Sequence, residues 1–127
     1  MTKQYSINID NLPLPLSDEL QAYLVEQYQL ALIAEPDTLD VALYNLDNDI
    51  GFTLSFEHIT EFELRLSHLI FFSNVDDVVN VQHYRYASER HKWLCTDSGE
   101  VATKYVRDSL IMLHTWHIDN ELQVEIE

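Results

Sequence analysis

Residues 41–56 read VALYNLDNDIGFTLSF, and the fold turns on whether the middle of that stretch holds an ion or reverses the chain. A calcium loop begun at Asp47 finds a second oxygen ligand at Asp49, but its sixth position requires glycine and its twelfth an acid. Those places hold Phe52 and His58, with Gly51 and Glu57 each one residue early, so the calcium register fails. Asp47-Asn48-Asp49 reads instead as a turn, because Asn and Asp tolerate left-handed backbone angles, and Gly51 is placed to permit a bulge just after it. Beyond the turn, Phe52, Leu54 and Phe56 alternate with Thr53 and Ser55, the period of a strand with one buried face. Before it two readings stand. Leu39, Ala42, Leu43 and Leu46 fit a helix face opened by Pro36, while Leu39, Val41 and Leu43 fit one side of a strand.

Toward the N-terminus, Leu12-Pro13-Leu14-Pro15-Leu16 is extended, since each proline turns its predecessor away from helix. Ser17 is a suitable N-cap, with Asp18 and Glu19 in the first turn. Leu20, Leu24, Tyr28 and Ala31 keep helical spacing, widened by Leu16, Tyr23, Leu32 and Ile33, until Pro36. The pattern predicts a helix over 18–34. Toward the C-terminus, Phe62, Leu64 and Leu66 alternate with Glu61, Glu63, Arg65 and Ser67, Leu69-Ile70-Phe71-Phe72 suits a buried strand, and Val78-Val79-Asn80-Val81 is β-branched. These segments make an antiparallel meander.

Asp97-Ser98-Gly99-Glu100 signals a turn. Thr103 to Leu113 reads as a second helix or as the start of a strand, and Ile111, Leu113 and Thr115, running through Asp119-Asn120 to Leu122, Val124 and Ile126, read as a terminal hairpin. The expectation is one α+β domain over 1–127, an N-terminal helix packed on a mostly antiparallel sheet. With 127 residues, such a chain buries roughly two-thirds of its unfolded surface.

Charge is the most informative feature. Twenty-two acids face seven bases, a formal charge of −15. From Gln4 to Leu64 there is no lysine or arginine, against twelve carboxylates; from Arg65 to Arg107 six bases face five acids, and after Arg107 there are five acids and no base. A stretch of sixty-one residues without a positive side chain cannot neutralise its acids from within, so the surface carries an extended negative potential. Direct nucleic-acid binding and an anionic membrane surface are disfavoured on that ground, because both rely on lysine and arginine. HYRYASERHKW, residues 83–93, interleaves bases with aromatics as an RNA-contacting stretch does, but in so acidic a chain those bases are expected to pair with its own carboxylates. No transmembrane run or leader is apparent, and Cys95, the lone cysteine, has no metal-spaced partner. The expected setting is the cytoplasm.

Motifs for nucleotide, zinc-protease and serine-hydrolase chemistry are absent, and two glycines leave few places where backbone approaches a phosphate. No cofactor is implied. His114 and His117 share a face only if their segment is a helix; read as a strand, they point to opposite sides.

Three functional readings follow. The first is a stoichiometric inhibitor, an immunity protein against a bacterial toxin or a phage anti-defence protein, whose acidic face occludes a basic, nucleic-acid-handling partner. Its candidate contacts are Asp37, Asp40, Asp47, Asp49, Glu57, Glu61 and Glu63, with Tyr44 as an aromatic anchor. It expects carboxylates from separate segments to converge on a patch with few bases. The second is an accessory module docking through an apolar patch or sheet edge. The third is a small metal-dependent enzyme using His114 and His117.

Overall fold

A computed structural model describes residues 5–34, 40–45, 49–119 and 123–126. The described elements are β1 (Ser6–Asn8), α1 (Asp18–Ala34), β2 (Asp40–Asn45), β3 (Ile50–His58), β4 (Glu63–Val75), β5 (Val78–Ala87), β6 (Lys92–Cys95), α2 (Thr103–Ile118) and β7 (Gln123–Ile126). The fold is α+β, with a mostly antiparallel sheet in the order β6-β5-β4-β3-β2-β7 and β1 added in parallel to the start of β4.

α1 starts where the sequence places it. The Ser17 hydroxyl accepts from the Leu20 amide at 3.2 Å, satisfying one of the orphan donors of the first turn. Its buried stripe is Leu20, Leu24 and Tyr28. The segment before the turn is a strand: Val41 pairs with Leu54 and Leu43 with Phe52, so Val41 and Leu43 enter the same buried layer as Phe52 and Leu54. Two expected strands, around Leu64 and around Leu69, form the single 13-residue strand β4.

Two sequence expectations are corrected. Gly51 makes no bulge; it sits in register between Tyr44 and Phe72, and the ladder slips at Ser55/Phe56 instead. What the glycine provides is room, since a Cβ there would lie 2.7 Å from the Tyr44 Cβ and would run into the Phe72 ring. The terminal hairpin is also overturned in its first arm. Residues 103–118 form α2, with Val106, Leu110, Leu113 and Trp116 buried at helical spacing. β7, the second arm, pairs instead with β2 from Val41 to Tyr44.

Both helices pack on one face of the sheet. Trp116 meets Phe52 with ring centroids 5.6 Å apart, and Tyr28 meets Phe56 at 6.1 Å. The alternate residues, Thr53, Ser55, Glu57, Arg65, His68, Ile70 and Phe72, are half-buried and stand outside that core. Among the described residues neither helix covers them. No described helix is long and apolar enough to cross a membrane.

Candidate functional site

Strand geometry decides where the candidate carboxylates go. β3 runs nine residues, and a strand rises about 3.3 Å per residue, so the Asp49 end and the Glu57 end of the sheet are separated by roughly 25 Å. Asp37 and Asp47 lie outside the described residues. Asp40, Tyr44 and Glu57 share the bare face, Asp49 lies in the β2–β3 turn, and Glu61 and Glu63 lie at the β3–β4 turn.

Three of these carboxylates already have partners. Ser55 donates to Asp40 at 2.6 Å. Arg65 donates its Nε to Glu57 at 2.8 Å, closes an ion pair on the same carboxylate, and lies 5.3 Å from the Tyr86 ring centroid. Asn8 donates to Glu63 at 3.1 Å. The bare face therefore gathers Asp40 and Glu57 together with Arg65 and Arg85, around His68 and His83. The two imidazoles meet at 3.2 Å between His68 Nδ1 and His83 Nε2. Burial above all, then the neighbouring His83 ring, holds His68 below the usual histidine range of 6.5, with Arg85 acting in the same direction and Glu57 and Asp40 against it.

Asp49 and Glu61 are exposed. Asp49 adopts a left-handed backbone, φ 51°, as the turn reading requires. Its carbonyl accepts from the Asn74 amide at 2.9 Å, which fixes it against the base of the β4–β5 hairpin. That hairpin closes at Val75 and Val78 through Asp76 and Asp77, both at positive φ, 52° and 64°, the geometry of a two-residue primed turn. Three aspartates thus gather at this end of the sheet, two of them from the middle of the chain, where bases and acids are nearly equal in number.

The hairpin itself is bare. Val75, Val78, Val79 and Val81 are all more than half exposed, on both sides of the ribbon. β6 pairs with β5 only from Tyr84 to Ala87, leaving Val78–Gln82 as an open edge among the described residues. Beside this edge lies a cleft of about 530 Å³ lined by Phe71, Gln82, His83, Tyr84, Cys95, Asp97, Ser98, Glu100 and Tyr105. Its aromatic wall is Tyr84 stacked on Tyr105, 6.3 Å apart and within 8° of parallel. Among the described residues no lysine or arginine lines it.

In the 83–93 stretch, Tyr84 and Trp93 are buried, the Trp93 indole donates to the Asn11 carbonyl at 2.9 Å, and Arg85 pairs with Glu89 at 3.7 Å. These aromatics are committed to the fold. α2 does place His114 and His117 one turn apart, with the His117 ring 5.0 Å from Tyr23. Among the described residues no cluster of three His, Cys, Asp or Glu side chains is arranged to hold a metal ion.

Comparison with known proteins bears on the fold alone. No family model matches the chain, and no curated protein matches its sequence. Two solved structures from Vibrio cholerae are similar. One is the hypothetical protein VC0508 from the VSP-II pathogenicity island, at 10% identity and TM-score 0.54, covering 98% of this chain and 100% of that one. The other is the conserved hypothetical protein VC1805 from pathogenicity island VPI-2, described as sharing structural homology with the human P32 protein, at 10% identity and TM-score 0.52, covering 94% and 99%. The architecture of sheet and flanking helices is thus one that other chains adopt with largely different residues.

Proposed function

We propose that the protein is a non-catalytic cytoplasmic binding protein that neutralises a basic protein partner stoichiometrically, as an immunity protein or an anti-defence protein does, by occluding a surface that handles nucleic acid. The observation that carries the reading is the sixty-one-residue segment without a base, set against only two ion pairs among the described residues, Arg65–Glu57 and Arg85–Glu89. Uncompensated charge of one sign accelerates encounter with an opposite surface and selects it over others. Asp49 and Glu61 are the exposed candidates from the base-free segment, and Asp76 and Asp77 extend the Asp49 end. Tyr44 flanks Gly51 on the bare face and supplies an aromatic contact within reach of that end.

A second reading, an accessory module that docks through a sheet edge, is favoured by the bare valines of the β4–β5 hairpin. Salt separates the two. The immobilised chain, exposed to lysate of its own cell or of a competing one, is expected to retain a protein of high isoelectric point and to release it as salt is raised from about 0.05 to about 0.5 M. A retained protein that is acidic, or that resists the salt step, overturns the inhibitor reading in favour of the module.

A further inference from the structure

β5 offers backbone as well as charge. On its outer side the His83 carbonyl accepts from the Thr96 amide at 2.9 Å. Backbone groups along a strand alternate in direction with period two, so the N–H and C=O of Val81 and Val79 point outward as well. Among the described residues no strand meets them, and they leave four main-chain groups free in the register of one short added strand. The two faces of this edge differ. Val79 and Val81, 63% and 56% exposed, flank it on the bare side of the sheet. On the helix side Gln82 leads into the cleft walled by Tyr84 and Tyr105. Tyr105 is 58% exposed although it stacks on a buried Tyr84.

The charges along the edge are of one sign. Asp76 and Asp77 lie at its outer end, Asp97 and Glu100 on the rim of the cleft at its inner end, and neither rim carboxylate has an ion-pair partner among the described residues. Lys104 and Arg107 stand on α2 but do not line the cleft. A guanidinium or ammonium group on a tyrosine face is attracted by the ring quadrupole, and two unpaired carboxylates beside it add charge-assisted hydrogen bonds.

We propose that the free edge of β5 and the aromatic cleft beside it accept an extended basic segment of the partner protein as an added strand, with one arginine or lysine side chain seated on Tyr105 between Asp97 and Glu100. This rests on the basic-partner reading and gives it an address. Strand addition takes affinity from main-chain hydrogen bonds and specificity from alternate side chains. The segment is therefore alternating: apolar residues against Val79 and Val81, basic residues toward the cleft and the tip aspartates. A second copy of this chain is the poorer occupant. Antiparallel pairing of two β5 edges about Asn80 sets the Asp76–Asp77 turn of each copy beside residues 83 and 84 of the other, against its own acidic rim, and like charges so placed repel.

The test uses the intact chain and an acetylated, amidated hexapeptide of alternating valine and arginine, titrated by calorimetry and amide NMR. Val81→Pro removes an outward N–H and no hydrogen bond to β4, a place where a strand tolerates proline. The peptide is expected to bind with shifts confined to β5, 96–100 and α2 near Tyr105, and its affinity to fall about tenfold in Val81→Pro. Asp97→Asn/Glu100→Gln is expected to weaken it at least as much, while Asp18→Asn/Glu26→Gln, which removes the same charge far from the edge, leaves it within about twofold. A peptide of alternating valine and glutamate should not bind. Equal weakening by both double variants means diffuse attraction and overturns the proposal. So does a dimer of the free chain in sedimentation that Val81→Pro dissolves, because then the occupant is a second copy. A basic protein captured from lysate as well by Val81→Pro as by the parent also overturns it, yet leaves the inhibitor reading standing; loss of every basic partner from the parent itself removes both. If Val81→Pro unfolds, the rim variant and the NMR map decide alone.

Discussion

Phe71 and Phe72 are neighbours in sequence, and the difference between their sides of the sheet organises the molecule. Phe71 faces Phe52 at 5.3 Å, on the side where two helices bring Leu20, Leu24, Tyr28, Leu110, Leu113 and Trp116 to bear. Phe72 lies over Gly51 on the bare side, among Asp40–Ser55, Glu57–Arg65 and His68–His83. One face is held by excluded water and close packing, which respond steeply to volume. The other is held by half-exposed polar pairs, each worth little in water. The first supplies most of the buried apolar contact, so substitutions on the second are the cheaper ones.

The steepest test of that contrast sets Phe52→Ala against Thr53→Ala, adjacent residues on opposite faces. Phe52 is fully buried, and its truncation is expected to cost about 3–5 kcal/mol. Thr53→Ala is expected to stay within about 1 kcal/mol, the span of strand preference. Urea unfolding reads both, and comparable losses would mean that the second face is packed as closely as the first.

Gly51→Ala should break the contrast locally. The added methyl group collides with the Phe72 ring and the Tyr44 Cβ, an overpacking cost of about 1–3 kcal/mol on the face that otherwise tolerates change. Because the ring is the more yielding neighbour, Phe72→Ala is expected to recover part of that loss, so the double variant is more stable than the sum of the singles by at least about 0.5 kcal/mol. Strict additivity would place the strain in the backbone.

Much of this was legible in the sequence where period and punctuation agree. α1 announces itself by Ser17, two acids and a repeated apolar stripe ended by Pro36; the meander announces itself by period two. α2 lacks such punctuation: Ala102 precedes it with no side-chain cap, and its first turn has no acid. Ile111, Leu113 and Thr115 alternate by coincidence on a helix whose buried apolar residues are Val106, Leu110, Leu113 and Trp116, a stripe visible only once the start is known. The base-free segment was plain from composition, but the cleft was not, because Phe71, Tyr84, Asp97, Glu100 and Tyr105 come from two long strands, a turn and a helix. No local pattern joins them.

The subtlest test concerns pH and the bare face. The His68–His83 contact at 3.2 Å needs one nitrogen to donate and the other to accept, so it survives only while at least one ring is neutral. Burial, reinforced by His83, lowers the His68 pKa from 6.5, so below that value the unfolded chain binds a proton that the folded chain resists. By linkage the contribution is fully present above the unfolded pKa and is lost as pH falls through it toward the lower folded value. Asp40, Glu57 and Arg85 face the same ring and are unchanged by a substitution at position 68. The urea midpoint of the parent is therefore expected to drop more between about pH 7.5 and about pH 5.5 than that of His68→Gln. Parallel profiles would assign the slope to other groups and leave the imidazole pair as a contact without a pH signature, while a steeper slope in His68→Gln would mean that the folded chain favours the charged imidazole.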